Sequence, residues 1–252
     1  MQLTVLGTGT ISLSAARACA GYLVEHESAV VLLDCGPGIA RRMAELELPW
    51  RAVTHICITH FHIDHYGDIP SLIYAWKYGV LPPRTAPLDV IGPVGTLDLL
   101  KRLAAAHGAW VLEPGFPVRV TELAPGGSVE LCPDLPLSAC KVPHTPESVA
   151  YSMRAGKQRL VYTGDTGFDP ALAAWAQECD VLLCECSLPT SMAIAEHLTP
   201  EQCGALAEIA RPGRLVLTHF YPPVETVDIA EAVGERFKGP LVVAYDGWET
   251  DI

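Results

Sequence analysis

With 252 residues, half of them hydrophobic, the chain can bury a sizeable core and is compatible with one large domain or two small ones. Lys and Arg number 17 against 29 Asp and Glu, a formal net charge of −12 that excludes a broadly basic, nucleic-acid-coating surface. No apolar run reaches the roughly 18 residues of a membrane span, and nine cysteines at spacings unlike a disulfide framework fit a reducing, cytoplasmic setting with no membrane partner.

Residues 2–6 read as a strand stopped by Gly7-Thr8-Gly9-Thr10, and after a small, polar run at 12–20 a second strand occupies 21–25. A turn at 26–28 leads to a buried strand at 29–33 that ends in Asp34-Cys35-Gly36-Pro37-Gly38, and a short amphipathic helix follows at 39–46. The next strand opens the stretch around which the chain is organised, Thr54-His55-Ile56-Cys57-Ile58-Thr59-His60-Phe61-His62-Ile63-Asp64-His65. Extended backbone turns His60 and His62 to one side and Phe61 back to the core. The following loop then brings in Asp64 and His65. Four metal-ligand side chains within six positions exceed what a single closed zinc site draws from so short a segment, which points to two adjacent metals.

Residues 69–78 read as a helix whose Tyr74, Trp76 and Tyr78 either wall a cleft or pack in the core, and the proline-rich run 79–87 excludes further helix. A strand at 88–91 and a helix at 96–107 follow, with His107 capping the helix C-terminus. From Pro117 a second set of strands is expected: 118–123, 128–131, 135–142 and a hairpin at 149–154 and 159–162. Helices at 170–179, 200–210 and 226–237 alternate with strands at 181–186, 214–217 and 241–245. Thr199 with Pro200 marks the start of the second of these helices. Cys184 and Cys186 on one strand read as core, and Glu185 between them is the only charge in an apolar strand and needs a partner. No linker interrupts the pattern, so residues 1–252 read as one domain of two sheets with helices outside.

Several strands end in a ligand type: His60 and His62, His144, Asp165 and His219. Together with Asp64 and His65 they supply the donors of a two-metal site. The ordered motifs Thr59-His60-Phe61-His62-Ile63-Asp64-His65, Pro143-His144, Tyr162-Thr163-Gly164-Asp165-Thr166 and Leu217-Thr218-His219-Phe220 resemble those of the metallo-β-lactamase superfamily. More narrowly, Leu182-Leu183-Cys184-Glu185, Glu196-His197-Leu198-Thr199 and Ala244-Tyr245-Asp246-Gly247-Trp248-Glu249 resemble the ribonuclease Z branch.

That resemblance implies an α/β fold, the four-layer αββα sandwich. It also implies a dinuclear hydrolase in which His60, His62 and His144 hold one divalent ion, Asp64, His65 and His219 the other, and Asp165 bridges. A hydroxide shared by the ions would attack the substrate, with Asp64, His197 and Glu185 as the catalytic residues and the His197–Glu185 pair relaying a proton to the departing alkoxide. Zinc is the first choice of metal, manganese and iron the alternatives. Asp34 either orients a ligand histidine or caps the turn that follows it. Two departures stand out. The interval between His144 and Asp165 has room for a hairpin and not for the basic arm that ribonuclease Z enzymes use on transfer RNA, and the basic loop near the start is reduced to Ser14-Ala15-Ala16-Arg17, with Arg17 and Arg84 left as phosphate contacts. The leading expectation is therefore a phosphodiesterase acting on a small phosphodiester or a short nucleic-acid end and not on folded transfer RNA. The alternatives are a lactonase, thioesterase or carboxylic ester hydrolase at the same metals, or a metal-stabilised binding protein without turnover. A homodimer is a family expectation.

Overall fold

The computed structural model describes residues 1–27 and 29–252; of the turn expected at 26–28, Ser28 lies outside the described residues. Strand β1 (Gln2–Gly7) sends Leu3 and Val5 into one apolar cluster and Leu6 into another, and β2 (Gly21–His26) and β3 (Ala29–Leu33) repeat the division with Tyr22 and Val24 against Leu23, and Val31 and Leu33 against Leu32. Strands apolar on both faces need cover on both faces. Helices α1 (Ile39–Glu45), α3 (Ile69–Tyr78) and α4 (Thr96–His107) cover one side of this sheet, which continues through β4 (His55–Cys57) and β5 (Leu88–Gly92). The one-turn helix α2 (Ile63–Tyr66) lies between β4 and α3.

The boundary between the two halves falls later than the sequence suggested. Strand β6 (Val118–Glu122) pairs parallel to β5, Leu88 opposite Val118 through Gly92 opposite Glu122, and so belongs to the first sheet. The crossover through α4 returns the chain in the direction of β5, which is the connection a parallel neighbour requires. The second sheet begins with β7 (Ser128–Glu130) and continues with β8 (Pro136–Lys141), β9 (Val149–Ala155), β10 (Gln158–Tyr162), β11 (Val181–Glu185), β12 (Arg214–Thr218) and β13 (Leu241–Val243). Its outer face is covered by α5 (Pro170–Trp175), α6 (Pro200–Ala210) and α7 (Ile229–Gly234). A short β14 (Glu249–Asp251), not anticipated, returns to pair with Gln2 to Thr4 of β1. Among the described residues the result is two seven-stranded sheets face to face, the αββα arrangement, with one apolar cluster between the sheets and one under each helical layer.

Two helices are shorter than expected. Helix α5 stops at Trp175 and the chain turns at Glu178, which takes the left-handed region at φ 57°. Helix α7 starts only at Ile229, where Asp228 accepts the Glu231 N–H, because Pro222-Pro223 imposes a 3-10 turn over Pro222–Thr226. Helix α6 opens as expected, with Thr199 and Gln202 in a capping box. No helix among the described residues is long and apolar enough to cross a membrane.

Candidate metal centre

Parallel alignment decides which residues meet. Strands β10, β11 and β12 run side by side, Tyr162 opposite Leu183 and Glu185 opposite Thr218, so Asp165 and His219 emerge from one edge of the second sheet beside Glu185. His144 follows β8 at the same edge. Opposite them the chain leaves β4 after Cys57, and Asp64 and His65 are carried by helix α2 and not by a loop; its i, i+1 side chains enter the site together and are buried. Phe61 does not reach the core. It is half-buried, and Gly95 faces its ring so closely that a Cβ there would lie 3.0 Å from it.

All seven expected donors converge in two groups, His60, His62, His144 and Asp165, and Asp64, His65 and His219, each within 4.8 Å by ligand atoms. Asp165 stands between them. Its Oδ2 is 3.3 Å from His65 Nε2, 3.7 Å from His144 Nε2 and 3.8 Å from His60 Nε2, and its Oδ1 is 3.4 Å from His219 Nε2. His219 Nε2 is also 3.5 Å from Asp64 Oδ2. These spacings exceed ordinary hydrogen bonds and cluster near the roughly 3.4 Å that separates two donors on one tetrahedral ion. His60 Nε2, His65 Nε2, His219 Nε2 and Asp165 Oδ1 are buried without a hydrogen-bond partner, a costly arrangement unless a cation completes it. The residues present fit divalent metal.

The far sides of three rings, those of His65, His60 and His144, are held. His65 Nδ1 lies 2.7 Å from Asp34 Oδ2, and Asp34 also accepts from the Thr59 N–H, the Thr59 hydroxyl and the Tyr162 hydroxyl, the last at 2.7 Å. Asp34 thus orients a candidate ligand. His60 Nδ1 lies 3.1 Å from Thr59 Oγ1, and His144 Nδ1 lies 2.9 Å from the Glu196 carbonyl. With Nδ1–H donated outward, Nε2 of each ring presents its lone pair inward. Both Asp34 (φ 55°) and His219 (φ 58°) hold left-handed backbone, a strained state for non-glycine residues that clusters at functional sites. Gly36 has no room for a side chain: a Cβ would come within 1.9 Å of the Asp64 carbonyl.

A family model described as the β-lactamase superfamily domain matches residues 30–220, the span that carries all of these donors. The chain belongs to the β-lactamase superfamily. The ribonuclease Z of Haloarcula marismortui is 24% identical over 305 aligned positions, covering 99% of this chain and 96% of that protein. Among solved structures, the metallo-β-lactamase fold protein YhfI from Bacillus subtilis superposes with a TM-score of 0.85 at 21% identity over 99% of this chain and 98% of that one. The short form of human tRNase Z superposes at 0.82 with 24% identity, covering 100% and 99%. The protein is a metal-dependent hydrolase of the metallo-β-lactamase fold.

Beside the donors, this superfamily member carries a second polar network built on Glu185. Its buried carboxylate accepts from the Thr166 N–H at 2.6 Å, His197 Nδ1–H at 2.9 Å, the Ser187 hydroxyl at 2.5 Å and the Leu198 N–H at 3.2 Å. Ser187 Oγ in turn lies 3.0 Å from His219 Nδ1. One carboxylate therefore holds His197 directly and a candidate metal ligand through a hydroxyl. Sequence reading missed Ser187; its period-two spacing from Glu185 was the available signal. Burial opposes a charge on His197, yet the adjoining Glu185 overrides it and pushes the imidazole up to about 9, so it carries a transferable proton at neutral pH. Asp165 is likewise buried, but His219 and His65 hold it well below the usual carboxylate range and it stays ionised.

Other expectations fare unequally. Arg17 pairs with Glu225 at 2.7 Å, donates to the Thr8 hydroxyl and lies over the face of Phe220, and Arg84 donates to the Ala86 and Pro87 carbonyls while stacked on Trp76 and Phe116, so both guanidinium groups are engaged within the chain. Trp76 is core, whereas Tyr74 and Tyr78 are exposed and pack on each other, with Tyr74 also against Trp110. Cys184 and Cys186 are core.

Proposed function

We propose that the chain is a phosphodiesterase of ribonuclease Z type. His60, His62 and His144 would hold one divalent ion and Asp64, His65 and His219 a second, with Asp165 placed to serve both. Mixed imidazole and carboxylate donors suit zinc first and accept manganese or iron. The observation that carries the reading is the convergence of orphaned, buried donor atoms with a carboxylate-held histidine beside them. Bound ions supply an activated water and neutralise the charge that builds on the phosphoryl group.

The chain's own residues do the rest. Asp34 and the Glu196 carbonyl keep His65 and His144 in the tautomer that presents Nε2 inward. Glu185 holds His197 through Nδ1, which leaves the other ring nitrogen to give a leaving oxygen the proton without which an ordinary alkoxide departs slowly. Asp64 serves in this scheme as ligand and as acceptor of the proton given up by water. The relatives named ribonuclease Z support a nucleic-acid phosphodiester. The interval from His144 to Asp165 is taken up by β9 and β10 within the sheet, and this argues for a flexible substrate, a short RNA or nucleic-acid end or a cyclic nucleotide, over folded transfer RNA. The buried thiols of Cys184, Cys186 and Cys203 fit a reducing cytoplasm.

The test is hydrolysis of bis(p-nitrophenyl) phosphate by protein loaded with zinc or manganese, beside an Asp165→Ala variant prepared identically. Turnover that disappears in the variant supports the reading. No turnover with two metals bound per chain would transfer the proposal to lactones and thioesters.

A further inference from the structure

Four tyrosines sit between the sheets or at the centre, and one of them is unlike the others. Tyr22, Tyr151 and Tyr162 are buried, and each hydroxyl is satisfied, by Thr218, the Ile58 carbonyl and Asp34 respectively. Tyr221 is half-buried, and its hydroxyl has no hydrogen-bond partner among the described residues. A tyrosine recruited only to fill space would be covered.

Its placement is specific. The rings of His197 and His219 lie nearly parallel, 22° apart with centroids 5.7 Å from each other. Tyr221 stands across both, at 5.9 Å and 70° to His197 and at 6.0 Å and 86° to His219. It therefore spans the gap between the proton donor and a residue of the metal centre. A group that leaves the phosphorus toward His197 would lie within reach of this half-exposed ring. The backbone is fixed: the Tyr221 N–H donates to the Ser187 carbonyl at 3.2 Å, and Pro222-Pro223 follow in a 3-10 turn. An aromatic held in place costs little entropy when it binds.

We propose that Tyr221 determines specificity on the leaving-group side, its ring being the surface on which the base of the departing nucleoside stacks. The proposal rests on the phosphodiesterase reading. In the hydrolysis, the P–O bond to the leaving nucleoside breaks as a water oxygen bonds to phosphorus. The proton of His197 completes the nucleoside hydroxyl, and the water's proton stays with the enzyme's basic groups, so the products are a phosphomonoester and an alcohol.

Two substrates isolate the contact: adenylyl-(3′→5′)-adenosine and adenosine 5′-methyl phosphate, both yielding AMP and differing in whether adenosine or methanol departs. Tyr221→Ala is expected to lose roughly five- to hundredfold more in kcat/KM on the dinucleotide than on the methyl ester, chiefly through KM, which is the range for base–aromatic stacking. Tyr221→Phe keeps the wild-type ratio. Equal losses on both substrates would overturn the proposal. If the wild-type protein releases AMP from neither, the phosphodiesterase reading fails, and Tyr221 is judged by titrating adenosine into the zinc-loaded protein with NMR detection. Binding kept in Tyr221→Phe and weakened in Tyr221→Ala supports the stacking surface; absent binding, or the same affinity in all three proteins, refutes it.

Discussion

Replacing His197 with alanine separates proton delivery from everything else the centre does. The imidazole is nearly buried, and its one strong tie is Nδ1 to Glu185 Oε1 at 2.9 Å. After its removal Glu185 still accepts from the Thr166 N–H, the Ser187 hydroxyl and the Leu198 N–H, so the carboxylate stays satisfied and Ser187 still reaches His219. The donors of both ion sites are therefore expected to remain in place, and metal content should stay at the wild-type value. General acid catalysis contributes roughly 10²- to 10⁴-fold where the leaving group is an alkoxide and little where it is already a good leaving group. His197→Ala should accordingly lose roughly 10²-fold or more on a dinucleotide and less than about tenfold on bis(p-nitrophenyl) phosphate, measured as kcat at saturating substrate with metal content checked in the same samples. Equal losses on the two substrates, at unchanged metal content, would refute proton donation by His197 and leave it a structural partner of Glu185.

Burial disfavours the His197 cation, but Glu185 raises it to about 9, so the protonated acid is present below that value and lost above it: kcat on a dinucleotide should fall along an alkaline limb no higher than about pH 9, and Glu185→Gln should move that limb down toward the ordinary histidine value near 6.5. Ser187→Ala removes the link between Glu185 and His219 and is expected to weaken retention of one ion roughly 10- to 100-fold, read as zinc remaining after competition with a chelator, with Ser187→Thr restoring it. Gly36→Ala forces a Cβ to within 1.9 Å of the Asp64 carbonyl, so thermal unfolding should show a destabilisation of at least about 1–3 kcal/mol and metal binding should weaken with it; an unchanged melting curve would mean that helix α2 shifts freely.

The donors were legible in the sequence because histidine and aspartate at strand ends are conspicuous against apolar strands, and the period of those strands is simple. The apolar run read as a strand at 181–186 is buried on both faces, Leu182 and Cys184 under the helices and Val181 and Leu183 between the sheets. What stayed hidden depends on pairing between segments far apart in the chain. Nothing local to 118–122 says that it pairs with β5 and not with the strands that follow it, nor that Glu249–Asp251 returns to β1. The partners of the donors were hidden for the same reason. Tyr162 meets Asp34 across 128 positions of chain, and Ser187 meets His219 across 32, so neither contact has a sequence signature. Asp34, left open between turn cap and support for a histidine, is decided by its four hydrogen bonds.

The arrangement of cations bears on the substrate more than the net charge does. Arg17 and Arg84, the two arginines that motif comparison would lend to a phosphate, spend their guanidinium groups on Glu225, backbone carbonyls and aromatic faces. Arg159 is turned inward onto the Ser152 hydroxyl and the carbonyls of Gln177 and Trp175. Each of these contacts anchors the chain to itself. A nucleic-acid backbone gains affinity by displacing counterions along a row of free lysines and arginines, and a chain of net charge −12 opposes such contact over its surface as a whole. In the proposed reading recognition falls to the centre: divalent ions on the scissile phosphate, His197 on the leaving oxygen and the Tyr221 ring on what departs. A site of that kind would read one phosphodiester and its immediate neighbours, which is the physical ground for proposing a short or flexible end over an extended folded RNA.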